Sequence, residues 1–317
     1  MNKEKFKWFV TRALVTFTVL SLLGACSPVV APSSDSGTVS KQSVPGFDHI
    51  VIITFENGEY AKIINNPYMP TFNMYARDYT LLTQFYAVTH PSLPNYLAMI
   101  GGRTFDIATD CQDCFIDAPS LPDLIEASGR TWKTYQEDMQ NPCGLGSQDE
   151  SEYVQKHNPF VYFNPIRLDK ARCKRSVVPL HSLQNDINAG TLPNFIFITP
   201  NMCHNAHDCK AIIADAWLME LLNQLIPALQ KESPNYLIVL NWDEGQHDHN
   251  SCCGLPQAAG GGRIADVLIS PFVKNHFQDS TQYTHYSLLK TISKSWNLPY
   301  LGYAGQDGTS LILAPWK

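Results

Sequence analysis

The segment from Val88 to Gly102 concentrates reactive side chains at one point of the chain. Thr89, His90 and Ser92 lie within four residues, and an apolar run follows them. The pattern predicts that these side chains stand at the N-terminus of a helix, where free backbone N–H groups attract anions. A hydroxyl group there becomes a nucleophile only if a base or a metal lowers its pKa. The alternative is a polar loop that merely precedes a well-capped helix.

A second chemical signal follows the apolar runs of the sequence. Four continuous β-branched and aromatic runs are typical of strands that are buried on both faces of a parallel sheet. They are His49–Phe55, Asn194–Thr199, Tyr236–Asn241 and Ala265–Ser270. Sites in such sheets form beyond the carboxyl ends of the strands. The candidate residues are therefore those that follow these runs: Glu56 and Asn57; His204, His207 and Asp208; Asp243, Glu244 and His247.

These side chains fit a divalent cation and phosphoryl transfer. Taken singly, each group could belong to a turn, a helix cap or a polar surface loop. Taken together, oxygen ligands from two strand ends predict a cation site, with Mg, Ca, Mn, Zn or Fe as the metal. Histidines beside it would exchange protons. Acyl transfer is disfavoured, because the sequence has no Gly-x-Ser-x-Gly elbow.

The elements that must position these groups alternate along the chain. Helical patterns cover residues 120–129, 211–231 and 285–297. Strands that alternate with helices predict an α/β fold with a largely parallel central sheet and helices on both faces. The region 105–180 holds four cysteines and few periodic segments, so we expect it to be an elaboration on the sheet.

The N-terminus resembles that of an exported lipoprotein. Four basic side chains precede a short apolar stretch that ends in LLGAC, which resembles a bacterial lipobox. The resemblance implies a signal peptide at 1–25 and a lipidated Cys26. The stretch up to residue 45 is rich in Ser, Pro, Val and Gly, which indicates a flexible linker. Residues 46–317 contain no further linker, so we expect a single domain there. Ser27 after the cysteine favours delivery to the outer membrane of a Gram-negative host. An ordinary signal peptide with an incidental Cys26 is the alternative.

Cysteine content and charge limit the partners of the mature chain. Beyond Cys26 the number of cysteines is even, which predicts up to four disulfides in an exported protein. They are Cys111, Cys114, Cys143, Cys173, Cys203, Cys209, Cys252 and Cys253. A zinc ribbon on the first two is the alternative. The formal net charge of −6, without any basic run, argues against nucleic acid as a partner.

Five motifs, in this order, resemble the bacterial phosphoesterase family that includes acid phosphatases and phospholipases C. They are HIVIITFEN, THPSLPNYLAMIGG, NMCHNAHDC, WDEG and YTHYSLLKTI. That family is similar in fold to the alkaline-phosphatase superfamily, so the resemblance implies an alkaline-phosphatase-like domain. It also implies that Glu56, Asn57, Asp243 and Glu244 hold the cation together with a serine nucleophile.

The resemblance narrows the choice of nucleophile. In nucleotide pyrophosphatases of the wider superfamily, a Thr-Phe-Pro-Asn segment supplies the nucleophile and a phosphate contact. The segment SLPN is similar to it, which implies Ser92 as the nucleophile and Asn95 at the phosphate. Thr89 and His90 are the alternatives to Ser92.

The same resemblance implies a proton donor for the leaving group. His204, or else His207, would protonate the leaving oxygen. Asp208 would orient an imidazole or help to bind the metal. Thr89 and His247 would support the site from its edge.

These features predict a metal-dependent acid phosphatase that acts through a phosphoserine intermediate. Its substrates would be small phosphate monoesters or phospholipid head groups, phosphoinositides among them. The short chain resembles small secreted acid phosphatases more than the longer phospholipases C. A phospholipase C or another phosphodiesterase with the same residues is the first alternative. The second is a non-catalytic lipoprotein that binds ligands at the cell surface.

Overall fold

The apolar runs of the sequence form a central sheet in a computed structural model, which describes residues 42–146, 152–254 and 260–317 together with Leu14. The predicted signal peptide, the lipidation site Cys26 and almost the whole linker lie outside the described residues. The chain from Lys41 to Lys317 forms one unit.

The sheet is built from short strands that are buried along most of their length. The described strands are β1 (His49–Phe55), β2 (Thr80–Tyr86), β3 (Trp132–Gln136), β4 (Val177–Pro179), β5 (Phe195–Thr199), β6 (Tyr236–Trp242), β7 (Arg263–Ile269), β8 (Phe277–Asp279) and β9 (Tyr283–Thr284). Every residue of β1, β5 and β6 is buried. Burial on both faces explains why these strands read as continuous apolar runs.

The strand order places several carboxyl ends at one edge of the sheet. Strands β4, β3, β5, β1 and β6 are neighbours in this order and run parallel. Strand β7 is antiparallel to both β6 and β2, so β2 runs in the same direction as β6. The carboxyl ends of β1, β2, β3, β5 and β6 therefore meet the amino end of β7. We call this side the carboxyl edge of the sheet.

Helices cover both faces of the sheet. The described helices are α1 (Tyr60–Ile63), α2 (Pro70–Asp78), α3 (Ser92–Gly101), α4 (Leu121–Ala127), α5 (Asn164–Arg167), α6 (Lys170–Ser176), α7 (Ser182–Ala189), α8 (Ala211–Glu232) and α9 (His285–Ser295). Thr54 contacts Met99 of α3, and the ring of Phe55 packs edge-on against Trp217 of α8. Adjacent strand residues point to opposite faces, so α3 and α8 lie on opposite faces. Helix α8 is long and apolar enough to cross a membrane, but Leu218 and its other inward residues are buried in the domain.

The mostly parallel sheet with helices on both faces confirms the predicted α/β fold. All four predicted strands are present, with ends that differ from the prediction by no more than two residues. The region 105–180, which was expected to be an elaboration on the sheet, contains β3 and β4, and these two strands extend the sheet beyond β5. Strand β3 contains both polar and apolar residues and β4 has three residues, so neither forms a continuous apolar run.

Four disulfides confirm the prediction from the even cysteine count. The pairs are Cys111–Cys114, Cys143–Cys173, Cys203–Cys209 and Cys252–Cys253. The alternative of a zinc ribbon is excluded, because both of its first ligands are bonded to each other.

Candidate active site

Ser92 is the first residue of α3 and lies at the carboxyl edge of the sheet. Its Oγ donates a hydrogen bond of 3.0 Å to Oε2 of Glu56, the residue that directly follows β1. Tyr96, one turn further along α3, donates its hydroxyl to Glu56 Oε1 at 2.7 Å. Ser92 and Glu56 are both buried. The structure thus brings the predicted nucleophile against a predicted metal ligand, whereas Thr89 Oγ1 donates to the carbonyl of His90 at 3.2 Å.

Asp243 follows β6 and lies beside the end of β1. Its Oδ1 accepts hydrogen bonds from the backbone N–H groups of Asn57 at 3.0 Å and Glu244 at 2.6 Å. Its own N–H donates to the carbonyl of Phe55 at 2.9 Å, and its carbonyl oxygen lies 2.7 Å from His285 Nε2. Its Oδ2 is buried and receives no hydrogen bond from an N–H or hydroxyl donor of the described residues, and the Glu56 carboxyl is the group close enough to share a proton with Asp243. A buried carboxylate oxygen without a partner is costly unless a proton or a cation satisfies it.

Glu244 connects this carboxylate group to the segment before α3. Its Oε2 accepts a hydrogen bond from Asn95 Nδ2 at 3.1 Å and lies 2.9 Å from His90 Nδ1. Asn95 also binds the loop that leads to Ser92. Its Nδ2 donates a hydrogen bond to the carbonyl of Thr89 at 2.7 Å, and its Oδ1 accepts one from the backbone N–H of Thr89 at 3.2 Å. Asn95 is fully buried and its amide hydrogens are engaged. In the structure Asn95 therefore shapes the loop, and its contact with phosphate stays a prediction.

Burial of three carboxylates in one place disfavours their charged forms. Burial raises the pKa of Glu56, and burial together with the charge of Glu56 raises the pKa of Asp243. Burial, with the neighbouring charge of Asp243 as the next cause, raises the pKa of Glu244 to about 10. The charge of Lys156 opposes the effect of burial on Glu56. A site of this kind is stabilised by positive charge.

The donor set fits a hard divalent cation. No three His, Cys, Asp or Glu side chains of the described ranges already stand at metal-ligand spacing around one point. The buried Asp243 Oδ2 nevertheless lies in the same cluster as Glu56, Glu244 and the Ser92 hydroxyl. Carboxylate and hydroxyl oxygens are ligands of Mg, Ca and Mn, and nearby imidazoles would also suit Zn or Fe. Asn57 contributes its backbone N–H, which holds Asp243.

The loop from Cys203 to Cys209, which we call the 203–209 loop, lies beside the carboxylates. The carbonyl of Asn205 accepts the backbone N–H of Glu56 at 2.9 Å. His207 Nδ1 lies 2.6 Å from Asp208 Oδ1, so the predicted acid does contact an imidazole. Burial raises the pKa of Glu56, and the charge of His207 is among those that lower it. His207 is therefore electrostatically coupled to the cluster that holds Ser92.

His204 is held on the other side of the same loop. Its Nδ1 lies 3.0 Å from both carboxylate oxygens of Glu137, which follows β3. Its ring stacks on Trp217 with centroids 6.0 Å apart, and the indole N–H of Trp217 donates to Glu137 at 3.0 Å. His247 is exposed, and its backbone N–H donates to Glu59. The structure does not bring the His247 side chain into the cluster.

The segment 105–180 supplies site residues that the sequence analysis missed. His157 Nε2 lies 3.0 Å from Glu56 Oε1 without hydrogen-bond alignment, and burial lowers its pKa to about 3. Asp110 accepts the backbone N–H of Leu93 at 3.0 Å and pairs with Lys156 Nζ at 3.0 Å. In the sequence, only the adjacency of Lys156 and His157 could have marked this segment as part of the site. No strand-end argument points to Asp110.

Comparisons with known proteins agree with this geometry. A model of the Phosphoesterase family matches residues 65–299. A phosphate-repressible acid phosphatase of Penicillium chrysogenum is 33% identical over 271 residues, which cover 81% of this chain and 60% of that protein. A phosphatidylinositol-3-phosphatase of Mycobacterium tuberculosis is 29% identical over 273 residues, which cover 84% and 82%. The chain spans between 60% and 70% of the length of the fungal acid phosphatases that it matches.

Solved structures show the same architecture. A protein of the alkaline phosphatase superfamily from Vibrio parahaemolyticus superposes with a TM-score of 0.55 at 11% identity, over 84% of this chain and 71% of that one. The murine ectonucleotide pyrophosphatase / phosphodiesterase 5 gives a TM-score of 0.53 at 11% identity, over 82% and 97%. At this identity the likeness shows the fold alone. It confirms the predicted alkaline-phosphatase-like architecture.

Proposed function

This chain belongs to the Phosphoesterase family, and from that premise we propose that it is a metal-dependent phosphomonoesterase of the acid phosphatase type, with Ser92 as the nucleophile. One observation carries the proposal. Ser92 Oγ lies 3.0 Å from Glu56, at the start of a helix and within a cluster of three buried carboxylates. The names of the relatives support phosphate monoesters as substrates, phosphoinositides among them.

The residues of the cluster account for the attack on phosphorus. Glu56 Oε2 accepts the hydroxyl hydrogen of Ser92 and is placed to take its proton. A divalent cation held by Glu56, Asn57, Asp243 and Glu244 would lower the pKa of the Ser92 hydroxyl and offset negative charge. Ser92 Oγ then forms a bond to phosphorus while the bond to the leaving alcohol breaks. Water hydrolyses the resulting phosphoserine and releases phosphate.

Lys156 is the side chain best placed to bind the phosphate oxygens. The N-terminus of α3 offers few free donors, because the Leu93 N–H is bonded to Asp110 and Pro94 has no N–H. Asp110 also holds Lys156 Nζ at 3.0 Å. Lys156 thereby stands close to the start of α3, and its charge acts on Glu56. We assign it the charge-neutralising role that phosphoryl transfer requires.

His207 is the proton donor that the geometry favours for the leaving oxygen. Its Nδ1 lies 2.6 Å from Asp208, so Nε2 is the ring nitrogen that we assign to the proton transfer. Its charge acts on Glu56. His204, the first choice from the sequence, is instead held by Glu137 and Trp217. His204 therefore supports the loop in this mechanism.

The disulfides support export of the protein. Four disulfides form and persist in an oxidising compartment and are rare in the cytosol. Lipidation of Cys26, anchoring to the membrane and delivery to the outer membrane stay predictions.

Hydrolysis of p-nitrophenyl phosphate tests the proposal. Ser92→Ala should lower kcat by at least ~10³-fold, because the step that forms the phosphoserine is lost. Thr89→Ala is the matched control, since it removes a neighbouring hydroxyl that does not touch the carboxylates. The Thr89→Ala control should keep most of the activity. A chelator should abolish the activity of the wild type. Full activity in Ser92→Ala would refute the assignment of the nucleophile.

A diester substrate separates the alternatives. If the protein cleaves p-nitrophenylphosphorylcholine and leaves the monoester intact, it is a phospholipase C or another phosphodiesterase. If it cleaves neither substrate yet binds divalent metal, it is a non-catalytic surface protein.

A further inference from the structure

A cleft lined by charged side chains lies on the same side of the sheet as the candidate active site. It has a volume of about 460 Å³ and is lined by Glu59, Tyr60, Lys62, His247, Asp248 and Arg263, among others. Arg263 begins β7, whose amino end lies at the carboxyl edge of the sheet. A bridge between Glu59 and Ile264 holds the other wall of the cleft to the same strand. The cleft therefore opens on the same side of the sheet as Ser92.

One residue links the cleft to the candidate active site. The carbonyl oxygen of Asp248 lies 3.0 Å from His90 Nε2, and the other nitrogen of His90 lies 2.9 Å from Glu244. The Asp248 carboxylate accepts the backbone N–H of Arg263 at 2.9 Å. The loop that holds His90 is thus also a wall of the cleft. His90 therefore connects a wall of this cleft to Glu244 of the carboxylate cluster.

Among the described residues that line the cleft, Arg263 has a guanidinium that forms no ion pair. It lies 3.8 Å from the ring centroid of Tyr60, and its Nε donates to the carbonyl of Thr83 at 2.7 Å. No carboxylate among the described residues forms an ion pair with it. Lys62, in contrast, pairs with Glu59 at 2.8 Å. The terminal N–H groups of Arg263 have no hydrogen-bond partner in the part of the chain that the structure describes, and a stacked arginine of this kind is suited to bidentate contact with phosphate.

We propose that this cleft binds a second phosphate group, carried on the leaving alcohol of the substrate. The inference rests on the proposed phosphomonoesterase activity and narrows its substrates to esters of sugars or cyclitols that carry more than one phosphate. Arg263 binds the second phosphate, and the first is positioned for attack by Ser92. The stacked ring of Tyr60 fixes the direction of the guanidinium, and His247 adds a further donor at the rim.

Paired substrates test the inference on the intact protein. We would compare kcat/KM for phosphate release from fructose 1,6-bisphosphate and fructose 6-phosphate, with p-nitrophenyl phosphate assayed beside them. The wild type should prefer the bisphosphate by at least ~10-fold, the size expected for a charge-assisted contact. Arg263→Met keeps the stem over Tyr60 and should reduce this ratio to about two, the statistical value for two equivalent phosphates, because the charged contact is lost. Arg103→Met is the matched control, since Arg103 also lies over a tyrosine ring but at the other end of α3. The control should retain the wild-type ratio.

The results distinguish the two proposals. A wild type that hydrolyses p-nitrophenyl phosphate but shows no preference for the bisphosphate overturns the second-phosphate site and leaves the phosphomonoesterase intact. An Arg263→Met protein that keeps the preference does the same. Arg263→Lys serves if the methionine variant does not fold, and its ratio should fall severalfold because the bidentate fork is lost while the charge remains. Failure of the wild type on every monoester refutes both proposals.

Discussion

Lys156 is the residue whose charge environment points most directly to a bound anion. Its side chain is 22% exposed and pairs with Asp110, which in turn holds the N–H of Leu93 beside the proposed nucleophile. Three carboxylates lie buried nearby, and the positive charge of Lys156 offsets part of their negative charge. A phosphate monoester would bring in further negative charge. Phosphoryl transfer requires a positioned positive charge that stabilises the negative charge on the phosphoryl oxygens in the transition state.

Replacing this lysine tests that role. Lys156→Gln should lower kcat/KM for p-nitrophenyl phosphate by about 10- to 100-fold, the usual size for loss of a charged hydrogen bond. The inhibition constant for inorganic phosphate should rise by a similar factor. Lys133→Gln is a matched control, because Lys133 pairs with Asp186 at 2.6 Å and has a side chain that is 26% exposed. Equal losses in the two variants would show that Lys156 acts only through stability.

The sequence predicted the site residues that directly follow long buried strands. It did not predict those contributed by the segment 105–180, which has no long buried strand. Glu56 and Asp243 were predictable because each directly follows a continuous apolar run at one edge of a parallel sheet. His157 and Lys156 reach the same place through the folding of a region with weak periodicity. The motif predicts a phosphate contact for Asn95 from its residue type. It does not predict the hydrogen bonds that the Asn95 amide makes to Thr89 and Glu244.

At the scale of elements, the 203–209 loop is a short closed segment that carries His207 and contacts Glu56 through Asn205. The disulfide between Cys203 and Cys209 joins its ends, and the contact between Asn205 and Glu56 fixes its side. A disulfide that closes so short a loop contributes about 2–3 kcal/mol by the chain-entropy relation. Its larger effect should be on the proton donor, since Asp208 lies directly before the bridge.

Removing this disulfide should change catalysis in a way that depends on the leaving group. The double variant Cys203→Ser/Cys209→Ser should lose activity toward phenyl phosphate more than toward p-nitrophenyl phosphate, because a poor leaving group needs the proton from His207. The control is Cys143→Ser/Cys173→Ser, whose bridge closes a longer loop and contributes about 3–4 kcal/mol to the free energy of unfolding. The control should lower the melting temperature further without changing the ratio of the two activities. An unchanged ratio in both variants would exclude His207 as the proton donor.

The elements themselves were predictable in proportion to their burial. Strands β1, β5, β6 and β7 are buried almost throughout and have the continuous apolar runs that the sequence showed. Helix α4 was marked by Ser120, whose capping box with Asp123 is present. Strand β3 was not predicted, because Lys133, Thr134 and Gln136 interrupt its apolar residues, so it forms no continuous apolar run. Long-range pairing decided its conformation, and local periodicity did not.

At the scale of the whole molecule, the buried carboxylates link stability to pH and to metal. The pKa values of Glu56, Asp243 and Glu244 are raised in the folded protein, with Glu244 near 10. A carboxyl group whose pKa is raised by folding contributes its stability in the protonated form. That contribution is complete below about pH 4, where the unfolded groups are also protonated, and is lost as the pH rises toward the folded pKa.

A chelated protein should therefore become less stable between pH 5 and pH 8. A divalent cation that binds the folded form stabilises it by mass action, and it binds best when the carboxylates are ionised. The increase in melting temperature on adding Mg²⁺ or Mn²⁺ to the chelated protein should consequently grow across this pH range. Asp243→Asn removes one of the buried charges, so it should flatten the pH dependence of the chelated protein and reduce the shift caused by metal. Asp186→Asn, which breaks an ion pair with Lys133 remote from the cluster, controls for general loss of charge. A metal-induced shift of the same size at pH 5 and pH 8 would mean that the three carboxylates do not hold the cation.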